Sequence, residues 1–186
     1  MMIRQRLTVV AAATALGLAV AGLAGGTAQA ATAKPKLPAK SGAAASCSRA
    51  RLPLPDPTCT PGAYNPAVTQ ATIGSTICVS GWTATVRPPA SYTNALKTQQ
   101  IAQYGFSDTN PADYEEDHLV PLELGGAPRD PHNLWPEPRY GSQPAQSKDQ
   151  VENKLKTAVC GGRVSLAAAR GAIASDWTTA LSRLGL

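Results

Sequence analysis

No two of the four cysteines stand closer than 12 positions, only two histidines occur in 186 residues, and no apolar run after residue 30 is long enough to cross a bilayer. The cysteine spacing argues against a four-cysteine zinc site, whose ligands usually come as close C-x₂₋₄-C pairs. The shortage of histidine confines imidazole chemistry to His118 or His132. The formal charge of +5 is mild. It permits a polyanionic partner without demanding one, because solubility alone accounts for a small positive charge. No internal repeat is present.

What is present begins with an export pattern. Met1-Met2-Ile3-Arg4-Gln5-Arg6 carries two positive charges and no acid, Leu7 to Ala24 is an uninterrupted run of apolar and small residues, and Ala28-Gln29-Ala30 follows. A positive n-region, an apolar h-region and an A-x-A site are the three parts of a secretory signal peptide. The expectation is a signal over 1–30, cleavage after Ala30, and an extracellular, monomeric mature chain with no membrane attachment. An uncleaved anchor is the competing reading, since about 20 apolar residues suffice to span. The small-residue composition and the cleavage site weigh against it. Removal of Arg4 and Arg6 leaves a formal charge of +3.

Cys47, Cys59, Cys78 and Cys160 all lie in the exported part. An even number in a secreted chain predicts two disulfides. The pairing is open, with Cys47–Cys59 and Cys78–Cys160 preferred. Residues 31–46 hold Ala, Pro, Lys, Ser and Gly with one Leu, so they have nothing to bury and read as a flexible linker. The remainder, 47–186, suits one domain with one core.

Residues 47–66, rich in proline, predict extended loop, with folded structure beginning near Val68. Ile73–Val79 and Trp82–Val86, separated by Ser80-Gly81, predict a β-hairpin. Thr93–Tyr104 predicts a helix closed by Gly105, and Tyr114–Val120 a strand stopped by Pro121. Leu122–Gly126 turns at a Gly-Gly pair, and a proline-rich loop leads to Asn133-Leu134-Trp135. A helix from Ser147 as N-cap to Val159 places Val151, Leu155 and Val159 on one face. A closing helix capped by Ser165 places Leu166, Ile173 and Trp177 together.

The chemistry-bearing order is Asp117-His118 on a strand, a Gly-Gly loop, Asn133, and a helix carrying Lys148, Asp149, Glu152 and Asn153. Phosphodiester hydrolysis needs these residue types. A hard divalent cation held by oxygen ligands neutralises charge on the phosphate. A base titrating near neutrality takes a proton from water, and a third group fixes the imidazole's tautomer and direction.

The run Asp117-His118-Leu119-Val120-Pro121-Leu122-Glu123-Leu124-Gly125-Gly126, then Asn133-Leu134-Trp135 and a helix, resembles the HNH or ββα-metal (His-Me finger) endonucleases. The wider run, from about Pro57 to Trp177, resembles secreted actinobacterial proteins that carry this motif among cysteines. The resemblance implies an α+β, disulfide-stapled domain with a ββα-metal core at about 114–160. It implies His118 as general base, Asp117 as metal ligand, and Asn133 as the residue that tethers the loop and orients the base. It also implies Asn153 as the helix ligand, with Asp149 as competitor. The metal implied is Mg²⁺, with Mn²⁺ or Zn²⁺ as alternatives. The sequence departs from the family pattern in having no histidine on the helix and an insertion at 136–146.

Plainer roles stand beside these. Asp117-His118 could be a surface salt bridge, and Asn133 a turn stabiliser after Pro131. His132 reads as a loop residue, and Glu115 and Glu116 as a solvated edge. Asp149 falls in the first turn after Ser147, where the helix dipole favours a negative charge. Glu152 would pair with Lys156 at i,i+4. Arg129, Arg139, Lys148 and Lys154 read as solvent-facing or as phosphate contacts, and Trp82 and Trp135 as core. The function expected is a secreted, metal-dependent endonuclease cutting DNA, with RNA as the other substrate, through backbone contacts and with weak sequence preference. The competing class is a non-catalytic secreted binding or cell-envelope domain on the same scaffold.

Overall fold

The computed structural model describes residues 47–186; the expected signal peptide and linker lie outside the described residues. The described part is a mixed helix and sheet domain. Two helices come first, α1 (Trp82–Val86) and α2 (Ala90–Gln103). A two-stranded antiparallel sheet of β1 (Tyr114–His118) and β2 (Leu134–Pro138) follows. The chain ends in α3 (Ala145–Cys160), α4 (Leu166–Asp176) and α5 (Ala180–Arg183). No described helix is long and apolar enough to cross a membrane.

The register sets Asp117 opposite Trp135 and His118 opposite Leu134. Pro136 and Pro138 sit opposite Glu116 and Tyr114. Two positions apart, both prolines share the side of β2 that needs no ladder donor, which is how a strand carries proline. β1 ends at His118, two residues short of the expected Val120.

The apolar residues form two clusters. In one, Leu155 and Val159 of α3 meet Leu166, Ile173 and Trp177 of the closing helices, over Val68, Ile77, Val120 and Leu124. In the other, Ile101 and Tyr104 of α2 meet Phe106, Tyr114 and Trp135. Tyr104 and Trp135 have ring centroids 6.0 Å apart, and Phe106 and Tyr114 4.7 Å apart. Each such side chain contributes about 1.5–3 kcal/mol by burial. The hairpin of β1 and β2 is thereby held from the α2 side and by α3.

Both preferred disulfides are present, Cys47–Cys59 and Cys78–Cys160, and no described cysteine is free. The second ties the end of α3 to the segment before α1.

Four expectations are corrected. Ile73–Val79 and Trp82–Val86 do not form a hairpin: the first holds a 3₁₀ turn (Ile73–Ser75) and the second is α1. Threonine hydroxyls there bond nearby carbonyls, Thr76 to Thr72 at 2.7 Å and Thr85 to Trp82 at 2.7 Å. Such local bonds compete with ladders. Gly81, with φ +78, starts α1 instead of turning a hairpin. Folded structure begins at Cys47, not near Val68. Asp56 accepts bonds from the Ser48 and Thr58 amides and the Thr58 hydroxyl, while Thr60 reaches the Tyr104 hydroxyl at 2.8 Å. Helix α2 starts at Ala90, three residues before Thr93, because Pro89 supplies its N-cap conformation. Helix α3 starts at Ala145 behind Pro144, so Ser147 is inside the first turn and caps nothing. Ser165 caps α4 as expected, accepting the Ala168 amide at 3.2 Å.

Candidate functional site

The loop from β1 to β2 is closed around one side chain. Asn133 is 0 % exposed. Its Oδ1 accepts the Val120 amide at 2.9 Å and the Ala63 amide at 3.3 Å, and its Nδ2 donates to Val120 O at 3.0 Å and Ala127 O at 3.1 Å. Gly126 is required by this closure: a Cβ there would lie 1.7 Å from Val120 O. Gly125 has φ +70, and a Cβ would meet Arg170 Nη2 and Val68 at 2.5 Å. Arg170 donates to the carbonyls of Leu124 (2.7 Å), Gly125 (3.0 Å) and Val68 (3.1 Å), anchoring the loop to α4. Asn133 therefore positions the loop and does not itself line the cleft described below.

The loop in turn fixes His118. Its Nε2 lies 3.0 Å from Pro128 O, one residue beyond the carbonyl that Asn133 holds. A carbonyl only accepts, so Nε2 carries the proton and Nδ1 keeps its lone pair. Burial, first among the causes, lowers the imidazole's pKa against the opposing pull of Pro128 and Asp117. The ring is neutral at pH 7.

Beside it lies a buried ionic cluster. Lys148 of α3 is 0 % exposed. Its Nζ donates to Asp117 Oδ2 at 2.6 Å, to His118 O at 2.8 Å, and to Glu152 Oε1. An ammonium has three donors, and all three are used. Burial opposes its charge, but the carboxylates of Asp117, Glu152 and Glu137 outweigh burial and raise its pKa. Burial alone would raise Asp117; the Lys148 ammonium reverses the sign and holds it low. Glu137 is pushed well up by burial and by Asp117. Neither of its buried carboxyl oxygens has a hydrogen-bond partner among the described residues.

Asp117, His118, Asp149, Glu152 and Asn153 line one cleft of about 250 Å³ between β1 and α3. Glu115, Glu123 and Arg87 complete its charged rim. Consecutive strand residues point to opposite faces, yet Asp117 and His118 both reach the cleft, because His118 stands on the last rung before the chain turns. Burial, and then Asp117, push Asp149 up, and Glu152 is pushed up to about 8 by burial despite Lys148. Asn153, one turn further along α3, is exposed, and its Nδ2 donates to Asp149 O at 2.8 Å.

Several plain readings are corrected here. Glu152 pairs with Lys148, four residues back, and not with Lys156, which approaches Glu123 at 3.7 Å. Lys148 is buried, neither solvent-facing nor able to reach a phosphate. Glu115 pairs with Arg139 at 2.9 Å, and Glu116 is no solvated edge: its buried carboxyl, pushed up to about 8 by burial, has no hydrogen-bond partner. Asp149 lies past the first turn of α3, in which no acid falls, so the helix dipole does not account for it. Among the described residues the His132 ring pairs with Asp130 at 3.0 Å, away from the cleft. Glu137 was absent from the sequence reading, since an acid between two prolines gives no periodic signal.

No family model, curated protein or solved structure matches this chain.

Proposed function

We propose that the cleft between β1 and α3 hydrolyses phosphodiester bonds of nucleic acid, DNA before RNA, in a secreted enzyme of the ββα-metal kind that the motif resembles. The single observation that carries this reading is His118: its Nε2 is committed to Pro128 O and the residue lines a cleft with five acids, which leaves Nδ1 as the available base. In the reaction His118 Nδ1 takes a proton from water as the water oxygen attacks phosphorus. The bond from phosphorus to the leaving sugar oxygen breaks, and that oxygen leaves with a proton from solvent. Asn133 keeps the loop, and through Pro128 the imidazole, in one orientation.

The donor set fits a hard divalent cation such as Mg²⁺. Asp117, Asp149 and the rim acids Glu115 and Glu123 offer carboxylate oxygens around one cleft. Among the described residues no three His, Cys, Asp or Glu side chains form a ligand cage. A Mg²⁺ ion is commonly held by one or two carboxylates and keeps several of its waters. When bound, the cation supplies charge neutralisation at the phosphate and the leaving oxygen. Asp117 with Asp149 would hold it, and Asn153 would stand at the rim. Two disulfides accord with an oxidising, extracellular location.

The reading is tested by incubating the purified mature protein with supercoiled plasmid, with Mg²⁺ or Mn²⁺ and with chelator. Nicking that requires the ion, and a 10²–10⁴-fold loss in His118→Ala at unchanged Mn²⁺ affinity, is the expected result. Absence of nicking under every condition would leave the non-catalytic reading, which draws on one observation: Lys148 already neutralises Asp117 and Glu152.

A further inference from the structure

Four cationic side chains stand on or beside the cleft, and three are committed. Lys148 uses all its donors on Asp117, Glu152 and the His118 carbonyl. Arg139 is paired with Glu115 and Lys156 with Glu123. Arg87 lines the cleft, is exposed, and makes no side-chain hydrogen bond or ion pair with any described residue.

Its place is set by the fold. Arg87 is the C-cap of α1, with its amide bonded to Thr83 O and an extended backbone (φ −60, ψ 131). Pro88-Pro89 follows and leads directly into α2. The short helix α1 packs against the Leu122–Leu124 turn, with Trp82 set on the aliphatic cluster. The guanidinium is near enough to His118 and Asp149 to be felt by both, after burial and nearer charges. An arginine among five carboxylates that bonds none of them keeps its whole donor fork free. A planar fork of N–H groups matches the oxygens of a phosphate two at a time.

We propose that Arg87 receives the substrate: its guanidinium donates two N–H bonds to the non-bridging oxygens of the scissile phosphodiester and holds the phosphorus before His118. This rests on the phosphodiesterase reading above and adds its substrate contact. It also answers how a cleft lined by acids accepts a polyanion, since one cation faces the ligand and is not neutralised from within.

The experiment compares wild type, Arg87→Ala and Arg87→Lys. Cleavage of plasmid and of bis(p-nitrophenyl) phosphate is measured with Mn²⁺, and binding of a labelled duplex oligonucleotide is measured in Ca²⁺ against salt. Arg87→Ala should melt with wild type and lose about 10²-fold in kcat/KM on both substrates. Its slope of log affinity against log salt should shrink by about 0.9, one phosphate contact. Arg87→Lys, which keeps the charge without the fork, should recover part of the loss. If Arg87→Ala cleaves within about twofold of wild type with an unchanged salt slope, the Arg87 assignment is overturned and the hydrolytic reading stands. A loss that follows reduced Mn²⁺ affinity or a lowered melting temperature overturns it in favour of a structural role. If wild type cleaves neither substrate, the functional reading falls and this inference with it.

Discussion

Replacement of Asn133 by alanine tests the loop directly, because its consequences for stability and for His118 can be worked separately. The amide makes four hydrogen bonds from a fully buried position, two of them to the amide and carbonyl of Val120. Asn133→Ala leaves both Val120 groups unpaired where water does not reach. Each orphaned buried group costs about 1–3 kcal/mol. The pair therefore sets an expected loss of about 3–5 kcal/mol, with little added by the partly buried groups at Ala63 and Ala127, which water can satisfy. Urea denaturation followed by far-UV circular dichroism measures it. The second consequence concerns tautomer. Asn133 holds Ala127 O, and Pro128 O beside it takes the His118 Nε2 proton. With the tether gone, ¹⁵N shifts of His118 should move from a single Nε2–H form toward a mixture. A loss below about 1 kcal/mol, with His118 shifts unchanged, would refute the argument that this one side chain carries the loop and orients the base.

Removing Cys78–Cys160, which spans 82 positions, should cost more than removing Cys47–Cys59, which spans 12. Chain entropy gives about 4–5 against about 3 kcal/mol, and paired serine variants with the reverse order would contradict it. Asp56 is held below the usual carboxylate range first by the Ser48 amide and then by the Thr58 amide and hydroxyl. A depressed folded pKa contributes stability above the unfolded value that is lost as pH falls through the folded one. The melting temperatures of wild type and Asp56→Asn should therefore converge between about pH 5 and pH 2; a constant gap would show that the carboxylate carries no such linkage. In Mn²⁺ titrations Asp149→Ala should weaken binding more than Asn153→Ala, since Asp149 is the one that feels Asp117. Equal, unchanged affinities would remove α3 from any metal site.

Patterns that depend on near neighbours in sequence carried furthest. The strand with Asp117-His118, the Gly-Gly turn and the stripe of Val151, Leu155 and Val159 follow one another in the fold as the residues imply, whereas β2 runs on from the expected Asn133-Leu134-Trp135 through Pro138, into what the sequence suggested was an insertion. The Gly125-Gly126 pair signals a tight turn because nothing with a Cβ fits against Val120. Where local rules offered two outcomes, the sequence could not choose. Glu152 has a lysine four residues before it and another four after it, and only the arrival of Asp117 from β1 draws Lys148 inward. The β-branched run at 73–79 suits a strand, but among the described residues no second strand lies beside it, and threonine hydroxyls settle the chain into turns.

The assignment of roles on α3 turns on the same tertiary fact. With α3 beginning at Ala145, Lys148 closes the first turn, Asp149 and Glu152 fall in the second, and all three lie where the helix approaches β1. Lys148 binds Asp117 and Glu152 beside Glu137, whose carboxyl burial and Asp117 push well up. A lysine placed there fastens α3 to the end of β1 through His118 O as well as through charge. Removing one partner of such a buried set typically costs 3–5 kcal/mol, so the contact is structural before it is chemical. The cleft acids that Lys148 does not bond are Asp149 and, at the rim, Glu115 and Glu123. Asp149 and Arg87, which bond no member of that buried set among the described residues, are the groups of the cleft left for the ligand proposed above.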